Sequence, residues 1–312
     1  MTDDRRDRLA RSRAGLSSEQ QALLEQRLRA RAPRAEAPAP SSLVAIQPAG
    51  PRPPFFCVHP AGGDVLCFQF LSHQMGTDQP FYGLQSRGLG AGEEPFETLE
   101  EMAAAYRTEI VRVSPGPYHL GGWSLGGAVV YELARQLMAE GKDVALLAVL
   151  DGTPGPWPPG SAKAEDEEDD AFWLMEIADY VQRLWGVDLG LSYDQLAALD
   201  PEARTARFLA SLKDTPLGAA ASPDPLRRLL RVFKTNVRAF RRYRPRPYPG
   251  RITLFRPDEA ASDPTLGWGA LTPRPVEIET LPGDHVGILA EPHVRTLAEK
   301  LRTRIGETSR PT

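Results

Sequence analysis

A serine between glycines offers the clearest chemistry in this sequence of 312 residues. Residues 122–126 read G-W-S-L-G, and they join an apolar stretch, PYHLG, to a stretch with helical periodicity, GGAVVYELARQLMAEG. A sharp strand-to-helix turn strains its serine and exposes the hydroxyl at the end of the sheet, and glycines allow the close packing that this needs. The alternative is a glycine-rich turn with an incidental serine. The flanking strand and helix favour Ser124 as a nucleophile.

A general base for Ser124 must come from one of five histidines. In folds that use this turn, the chain order is serine, then acid, then histidine, which leaves His285 and His293. His285 lies in LPGDHVGIL, a glycine-containing loop directly after the strand-like VEIETL, whereas His293 begins a helical stretch and is expected at the surface. We therefore predict His285 as the base. His119 precedes the turn on a buried strand and is expected to be structural.

Two aspartates compete for the position that orients the imidazole. Asp151 directly follows the apolar VALLAVL, so its carboxylate should be partly buried and fixed, as this role requires. Asp258 follows the next strand, RITLF, where many hydrolases of this type place the acid, but its neighbours are polar. Asp284 adjoins His285 and should point away from it. We predict Asp151, with Asp258 as the alternative.

The loop HPAGG, residues 59–63, follows another buried strand and suits an oxyanion hole. In such folds, one backbone N–H comes from this loop and the other from the residue after the nucleophile. Pro60 has no N–H, so the predicted donors are Ala61 and Leu125. His59 is expected to hold the loop by hydrogen bonding and not to take part in the chemistry.

The elements around these residues alternate between strands and helices. Predicted strands are SLVAIQ, PPFFCVHP, FYGLQ, PYHLGGWS, VALLAVLDG, RITLF and VEIETL, with helices at LEEMAAAYRTEIVRV, GGAVVYELARQLMAEG and EPHVRTLAEKLRTRI. Short, apolar strands alternating with helices indicate an α/β fold with a mostly parallel, doubly wound sheet. The strand-turn-helix around Ser124 makes this fold resemble the α/β-hydrolase fold. Helical stretches near 171–186, 193–199, 201–213 and 224–243 interrupt the sheet, which predicts a lid insertion over about 155–245.

Composition and charge narrow the function classes. The net charge of -4 argues against bulk nucleic-acid binding, and no apolar run approaches the roughly 20 residues of a membrane span. The N-terminus lacks the apolar core of a secretory signal. Two cysteines suggest neither a disulfide framework nor a metal site, so a reduced, cytoplasmic setting is expected.

Taken together, the motifs make the chain similar to thioesterase domains of nonribosomal peptide and polyketide synthases. The matching segments occur in family order between about 50 and 305: FFCVHPAGG, FYGLQSRGL, YHLGGWSLGG, LLAVLDGTPG, FRRYRPRPYPGRITLFRP, GWGAL and LPGDHVGIL. The resemblance implies a Ser124–Asp151–His285 triad, no metal or redox cofactor, and a substrate carried on the phosphopantetheine of an acyl or peptidyl carrier protein. The long insertion resembles the lids of chain-releasing members.

Residues 1–40 depart from this pattern. SSEQQALLEQRLRARA predicts a short charged helix, followed by the Pro- and Ala-rich linker RAPRAEAPAP. We expect a docking segment before a catalytic domain at 41–312. A free-standing enzyme is favoured over an excised terminal domain, and both interpretations stay open.

Two alternatives accompany the thioesterase interpretation, and the role of one basic stretch is also open. A carboxylesterase or lipase would share the chemistry but should carry an HGGG-type oxyanion loop. A docking protein on a hydrolase scaffold would tolerate loss of the nucleophile, base or acid, yet all are present in order. The arginine-rich stretch near 227–246 could bind an acidic carrier or a phosphate, but a solvated helix face is the preferred interpretation.

Overall fold

Short apolar stretches of the sequence form the seven strands of one sheet. A computed structural model describes residues 41–155, 169–213, 215, 221–258 and 262–308, so the N-terminal helix predicted before residue 41 lies outside the described residues. The strands are β1 (Leu43–Gln47), β2 (Phe55–Val58), β3 (Phe81–Leu84), β4 (Tyr118–Trp123), β5 (Val144–Leu150), β6 (Thr253–Pro257) and β7 (Glu277–Leu281).

The strands lie in the order β1-β3-β2-β4-β5-β6-β7. β1 pairs with β3 antiparallel, and every other pair is parallel. This confirms the mostly parallel sheet of an α/β fold. The inner strands β2 and β4 are buried along their whole length, whereas the edge strand β7 alternates partly buried and exposed residues before the buried Leu281.

The helices are α1 (Phe68–Gln74), α2 (Leu99–Val113), α3 (Gly126–Ala139), α4 (Asp170–Trp185), α5 (Tyr193–Ala197), α6 (Pro201–Leu212), α7 (Pro223–Arg242) and α8 (Val294–Thr308). α2 begins where the sequence predicts, because the Thr98 hydroxyl accepts the N–H of Glu101 at 3.2 Å and so caps the helix. α1 was not predicted, since its seven residues are too few to show a helical period. None of the described helices is long and apolar enough to cross a membrane.

The described chain divides into two units. The sheet unit contains residues 41–155, 231–258 and 262–308, and the helical unit contains the described residues between 169 and 230. In the helical unit, α4, α5 and α6 begin at side-chain caps, Asp169, Ser192 and Asp200, and all the predicted helix ends lie within two residues of the observed ones. A lid function for this unit stays a prediction.

Candidate active site

Ser124 lies at the sharp turn between β4 and α3. Its φ is 57°, a left-handed conformation that strains a residue with a side chain. Its backbone N–H donates to Leu150 O at 2.9 Å, so the residue stays attached to β5 while the chain turns. A Cβ on Gly122 would lie 2.1 Å from Gly126 O, and one on Gly126 would lie 2.4 Å from His59 O. Both glycines of the motif are therefore required by close backbone approach.

Asp151 leaves the neighbouring strand in the same way. Its φ is 45°, and its N–H donates to Phe255 O of β6 at 2.7 Å. Trp123 pairs with Leu150, so the next residue of each strand, Ser124 and Asp151, follows the same end of two adjacent parallel strands. The sheet register thus brings the aspartate beside the serine.

The acid loop, residues 151–155, is held from outside the strand. The buried indole of Trp268 donates its N–H to Gly152 O at 2.7 Å. A Cβ on Gly152 would lie 2.3 Å from Ser124 O, so the acid loop contacts the backbone of the turn directly. This contact leaves no room for a larger residue at position 152.

His285 connects the serine to the aspartate. Its Nδ1 lies 2.7 Å from Asp151 Oδ2 and its Nε2 lies 3.1 Å from Ser124 Oγ. An ionised carboxylate only accepts hydrogen bonds, so Nδ1–H donates to Asp151. In the neutral ring, Nε2 then carries a lone pair and accepts the serine O–H. This is the protonation pattern that a general base for Ser124 needs.

Trp123 anchors the loop that carries His285. Its indole N–H donates to the backbone carbonyl of His285 at 3.1 Å, and the two rings stack with centroids 5.2 Å apart. The residue is buried, at 2% exposure, while the His285 side chain is 38% exposed. The variable position of the G-x-S-x-G motif therefore holds the imidazole in place, a role that the sequence analysis missed.

The competing residues do not join this arrangement. Asp258 is exposed, and its backbone N–H bonds Leu281 O at the edge of the sheet. Asp284 is also exposed, and its carboxylate accepts the N–H of Gly287 at 2.8 Å. His119 is buried, with Nε2 3.1 Å from Thr308 Oγ1, which fits the structural role expected of it.

The predicted oxyanion loop lies against the first turn of α3, as the approach of Gly126 to His59 O requires. The loop makes a tight turn, closed by a hydrogen bond in which Gly63 N–H donates to Pro60 O at 2.9 Å. Among the described residues, the backbone N–H groups of Ala61 and Leu125 donate to no protein acceptor. Both predicted donors are thus available to a ligand.

His59, the first residue of this loop, is fully buried. Its Nδ1 lies 2.6 Å from Pro60 O and its Nε2 lies 2.7 Å from Tyr106 Oη. Burial lowers the pKa of His59 from 6.5 to about 4, against an opposing effect of the Pro60 hydrogen bond. Burial also raises the pKa of Tyr106 well above its usual value. Both side chains are therefore neutral near pH 7, and His59 holds the loop by hydrogen bonding, as predicted.

Metal clusters and thiols are the other groups of this kind that could do chemistry. In the described ranges, no group of three or more His, Cys, Asp or Glu side chains is placed to hold a metal ion. Cys57 and Cys67 are buried and form no disulfide, and burial raises the pKa of Cys57 well above its usual value. A buried, protonated thiol is a poor nucleophile, which leaves Ser124 as the residue with an adjacent base.

Comparison with known proteins agrees with this geometry. The chain matches the thioesterase domain family over residues 53–305. It belongs to that family. It is 38% identical over 215 residues to a dimodular nonribosomal peptide synthase of Bacillus subtilis (strain 168), covering 69% of this chain and 8% of the synthase. The chain thus spans under a tenth of that relative, and the family resemblance predicted from the motifs is confirmed.

Solved structures give the same result for the fold. A four-domain nonribosomal peptide synthetase superposes with a TM-score of 0.75 and 29% identity, over 89% of this chain and 21% of the synthetase. The Vlm2 thioesterase domain superposes with a TM-score of 0.63 and 28% identity, over 84% of this chain and 96% of that domain. The α/β-hydrolase fold of a thioesterase domain is therefore the fold of this protein.

Proposed function

We propose that this thioesterase domain releases an acyl, peptidyl or polyketide chain from a carrier-protein thioester through an acyl-Ser124 intermediate. The observation that carries the proposal is the pair of hydrogen bonds at His285, which donates to Asp151 at 2.7 Å and accepts from Ser124 at 3.1 Å. A serine, a base and an orienting carboxylate in this contact activate a hydroxyl for acyl transfer. Chain release by hydrolysis or by ring closure follows from the same intermediate.

The first half-reaction forms the acyl-enzyme. His285 Nε2 takes the proton of Ser124 as the oxygen attacks the thioester carbonyl carbon. The resulting tetrahedral oxyanion accepts hydrogen bonds from the N–H groups of Ala61 and Leu125, each worth on the order of 3 kcal/mol. The imidazolium is stabilised by Asp151 and protonates the departing thiolate, which leaves as the thiol.

The second half-reaction frees the chain. His285 removes a proton from water or from a hydroxyl or amine of the bound chain, and that nucleophile attacks the acyl-Ser124 ester. The same two N–H groups hold the second oxyanion, and His285 then returns the proton to Ser124 Oγ. The domain itself requires no cofactor in this scheme, because the phosphopantetheine belongs to the carrier that delivers the substrate.

The carrier as partner is supported by the relatives. The synthase of Bacillus subtilis and the four-domain synthetase are multidomain proteins that this chain covers in small part. A domain that works inside such an assembly receives its substrate from a neighbouring carrier. We infer the same delivery here, with the helical unit acting as the lid over the acyl chain.

The test is intact-protein mass spectrometry after mixing the protein with N-acetylcysteamine acyl thioesters, beside the Ser124→Ala variant. The native protein should gain the mass of the acyl group and release the thiol, and the variant should do neither. The matching oxygen esters are assayed in parallel. Faster turnover of the esters would favour a carboxylesterase, and absence of both an adduct and thiol release across several acyl chains would refute the proposal.

A further inference from the structure

We infer that His59 and Asn236 position the oxyanion donor by holding both peptide groups that flank Ala61. This inference rests on the proposed function, in which the N–H of Ala61 binds the oxyanion. Both side chains are fully buried, at 0% exposure. His59 donates to the carbonyl of Pro60, and Asn236 donates to the carbonyl of Ala61. They come from different elements, the end of β2 and the middle of α7.

The first of these peptide groups joins Pro60 to Ala61. Its carbonyl oxygen lies 2.6 Å from His59 Nδ1 and also accepts the N–H of Gly63 at 2.9 Å. This peptide bond is trans, so its C=O and its N–H point in opposite directions within one plane. Fixing the Pro60 oxygen with two donors therefore fixes the direction of the Ala61 N–H.

The hydrogen-bond partners of His59 show which of its ring nitrogens carries the proton. The Pro60 carbonyl has no proton to give, so the neutral His59 ring donates from Nδ1. Its Nε2 then accepts, and the Tyr106 hydroxyl, 2.7 Å away, is the donor. Consecutive hydrogen bonds polarise one another, so this chain of donors makes the peptide between Pro60 and Ala61 a stronger donor at its N–H end.

The second peptide group joins Ala61 to Gly62. Asn236 Nδ2 donates to Ala61 O at 2.9 Å, and the Ser86 hydroxyl lies 3.5 Å from Asn236 Oδ1. Because the carbonyl only accepts, the amide nitrogen of Asn236 must face it. Ala61 is thus held on its N-terminal side by His59 and on its C-terminal side by Asn236, which leaves its N–H little freedom to turn away.

A pair of apolar variants tests the role of each positioning residue. His59→Leu and Asn236→Leu remove the donors and leave an apolar side chain in each buried site. Loss of a whole oxyanion donor lowers kcat by roughly 10²–10³-fold, so a donor left in place but misdirected should lower it by about 10- to 100-fold. KM for the N-acetylcysteamine acyl thioester should change by less than about twofold, because the ground-state carbonyl carries no full charge.

A matched control separates positioning from stability. His119 is also a fully buried histidine, but it lies at the opposite end of β4 from Ser124. His119→Leu should lower the midpoint of thermal unfolding as His59→Leu does, and it should leave kcat within about twofold of the native value. Equal losses of kcat in the two variants would overturn the inference.

Conservative variants keep the test decisive if a leucine variant does not fold. His59→Asn keeps an amide N–H near the position of Nδ1 and should recover much of kcat. Tyr106→Phe leaves His59 in place but removes its proton donor, so kcat should fall only about two- to fivefold. No recovery in His59→Asn, with normal unfolding, would contradict the hydrogen bond to Pro60 as the cause.

A second readout is independent of thioester turnover. A fluorophosphonate also places an oxygen in the oxyanion hole when it reacts with Ser124, so its labelling rate should fall in His59→Leu and Asn236→Leu by a factor similar to that in kcat. If the native protein labels but turns over no thioester, the proposed function fails while this comparison still tests the inference. Labelling rates unchanged in both variants would overturn it.

Discussion

Replacing Asp151 by asparagine should remove most of the activity without changing the fold. Asparagine has nearly the shape of aspartate, so the acid loop and its contacts can stay as they are. What changes is the charge of the group that faces His285 Nδ1, now 2.7 Å from a carboxylate oxygen. An amide N–H in that position would need Nδ1 to accept, which moves the imidazole proton to Nε2. The ring could then no longer accept the proton of Ser124.

The size of the effect can be worked from the charges. In the transition state the imidazolium and the carboxylate face each other, with a side-chain exposure of 38% for His285 and 16% for Asp151. Two unit charges about 4 Å apart at an effective dielectric constant of about 20 attract by about 4 kcal/mol. At about 1.4 kcal/mol per factor of ten, this equals a roughly 10³-fold loss of kcat, and the inverted tautomer adds to it.

The assay measures thiol release and acyl-enzyme formation under single-turnover conditions with N-acetylcysteamine thioesters. The matched control is Asp258→Asn, which makes the same chemical change at the exposed aspartate after β6. It should keep kcat within about twofold. A loss of less than tenfold in Asp151→Asn, or a deep loss in Asp258→Asn, would refute the assignment of the acid.

Three further predictions concern stability. Since burial lowers the pKa of His59 and of His119 from 6.5 to about 4, the stability present above pH 6.5 should be lost as the pH falls towards 4. At pH 5 each histidine should lower the free energy of unfolding by about 2 kcal/mol. In His119→Leu, the free energy of unfolding measured by urea titration should therefore fall less steeply between pH 6.5 and pH 4. Gly126→Ala should cost at least about 1–3 kcal/mol, because its Cβ would lie 2.4 Å from a backbone oxygen, whereas Gly306→Ala, with no atom within 4 Å, should not destabilise. Trp268→Phe should cost about 1–3 kcal/mol and lower kcat, because it leaves a carbonyl of the acid loop without its donor; an unchanged midpoint of unfolding would contradict this.

The sequence predicts the fold well because its signals are local. Most strands of the sheet are short apolar runs, and the helix at 99–113 has both its period and its cap in adjacent residues. The G-x-S-x-G motif is local too, since the two glycines and Ser124 form a single turn. The fold and the family were therefore predicted correctly, and the structure brings Ser124, Asp151 and His285 together.

The contacts that support the site could not be predicted in the same way. Trp123 binds the carbonyl of His285, 162 residues later, and Trp268 binds the acid loop 116 residues before it. Asn236 reaches Ala61 across 175 residues of sequence. An indole or an amide in a helical or apolar stretch gives no local sign of its partner. The family segments YHLGGWSLGG and GWGAL contain Trp123 and Trp268, but neither segment indicates what its indole binds.

The choice between the two aspartates depends on how each leaves the sheet. Ser124 and Asp151 both keep their N–H bonded to the next strand, to Leu150 O and Phe255 O, while a positive φ turns the chain. Each side chain is therefore fixed by a continuing ladder between inner strands, about 4.8 Å apart. Asp258 bonds the edge strand β7 and its side chain is exposed. A carboxylate that must hold one tautomer of His285 needs the fixed position between inner strands that Asp151 has. A solvated side chain would populate several rotamers and bind water instead of the imidazole.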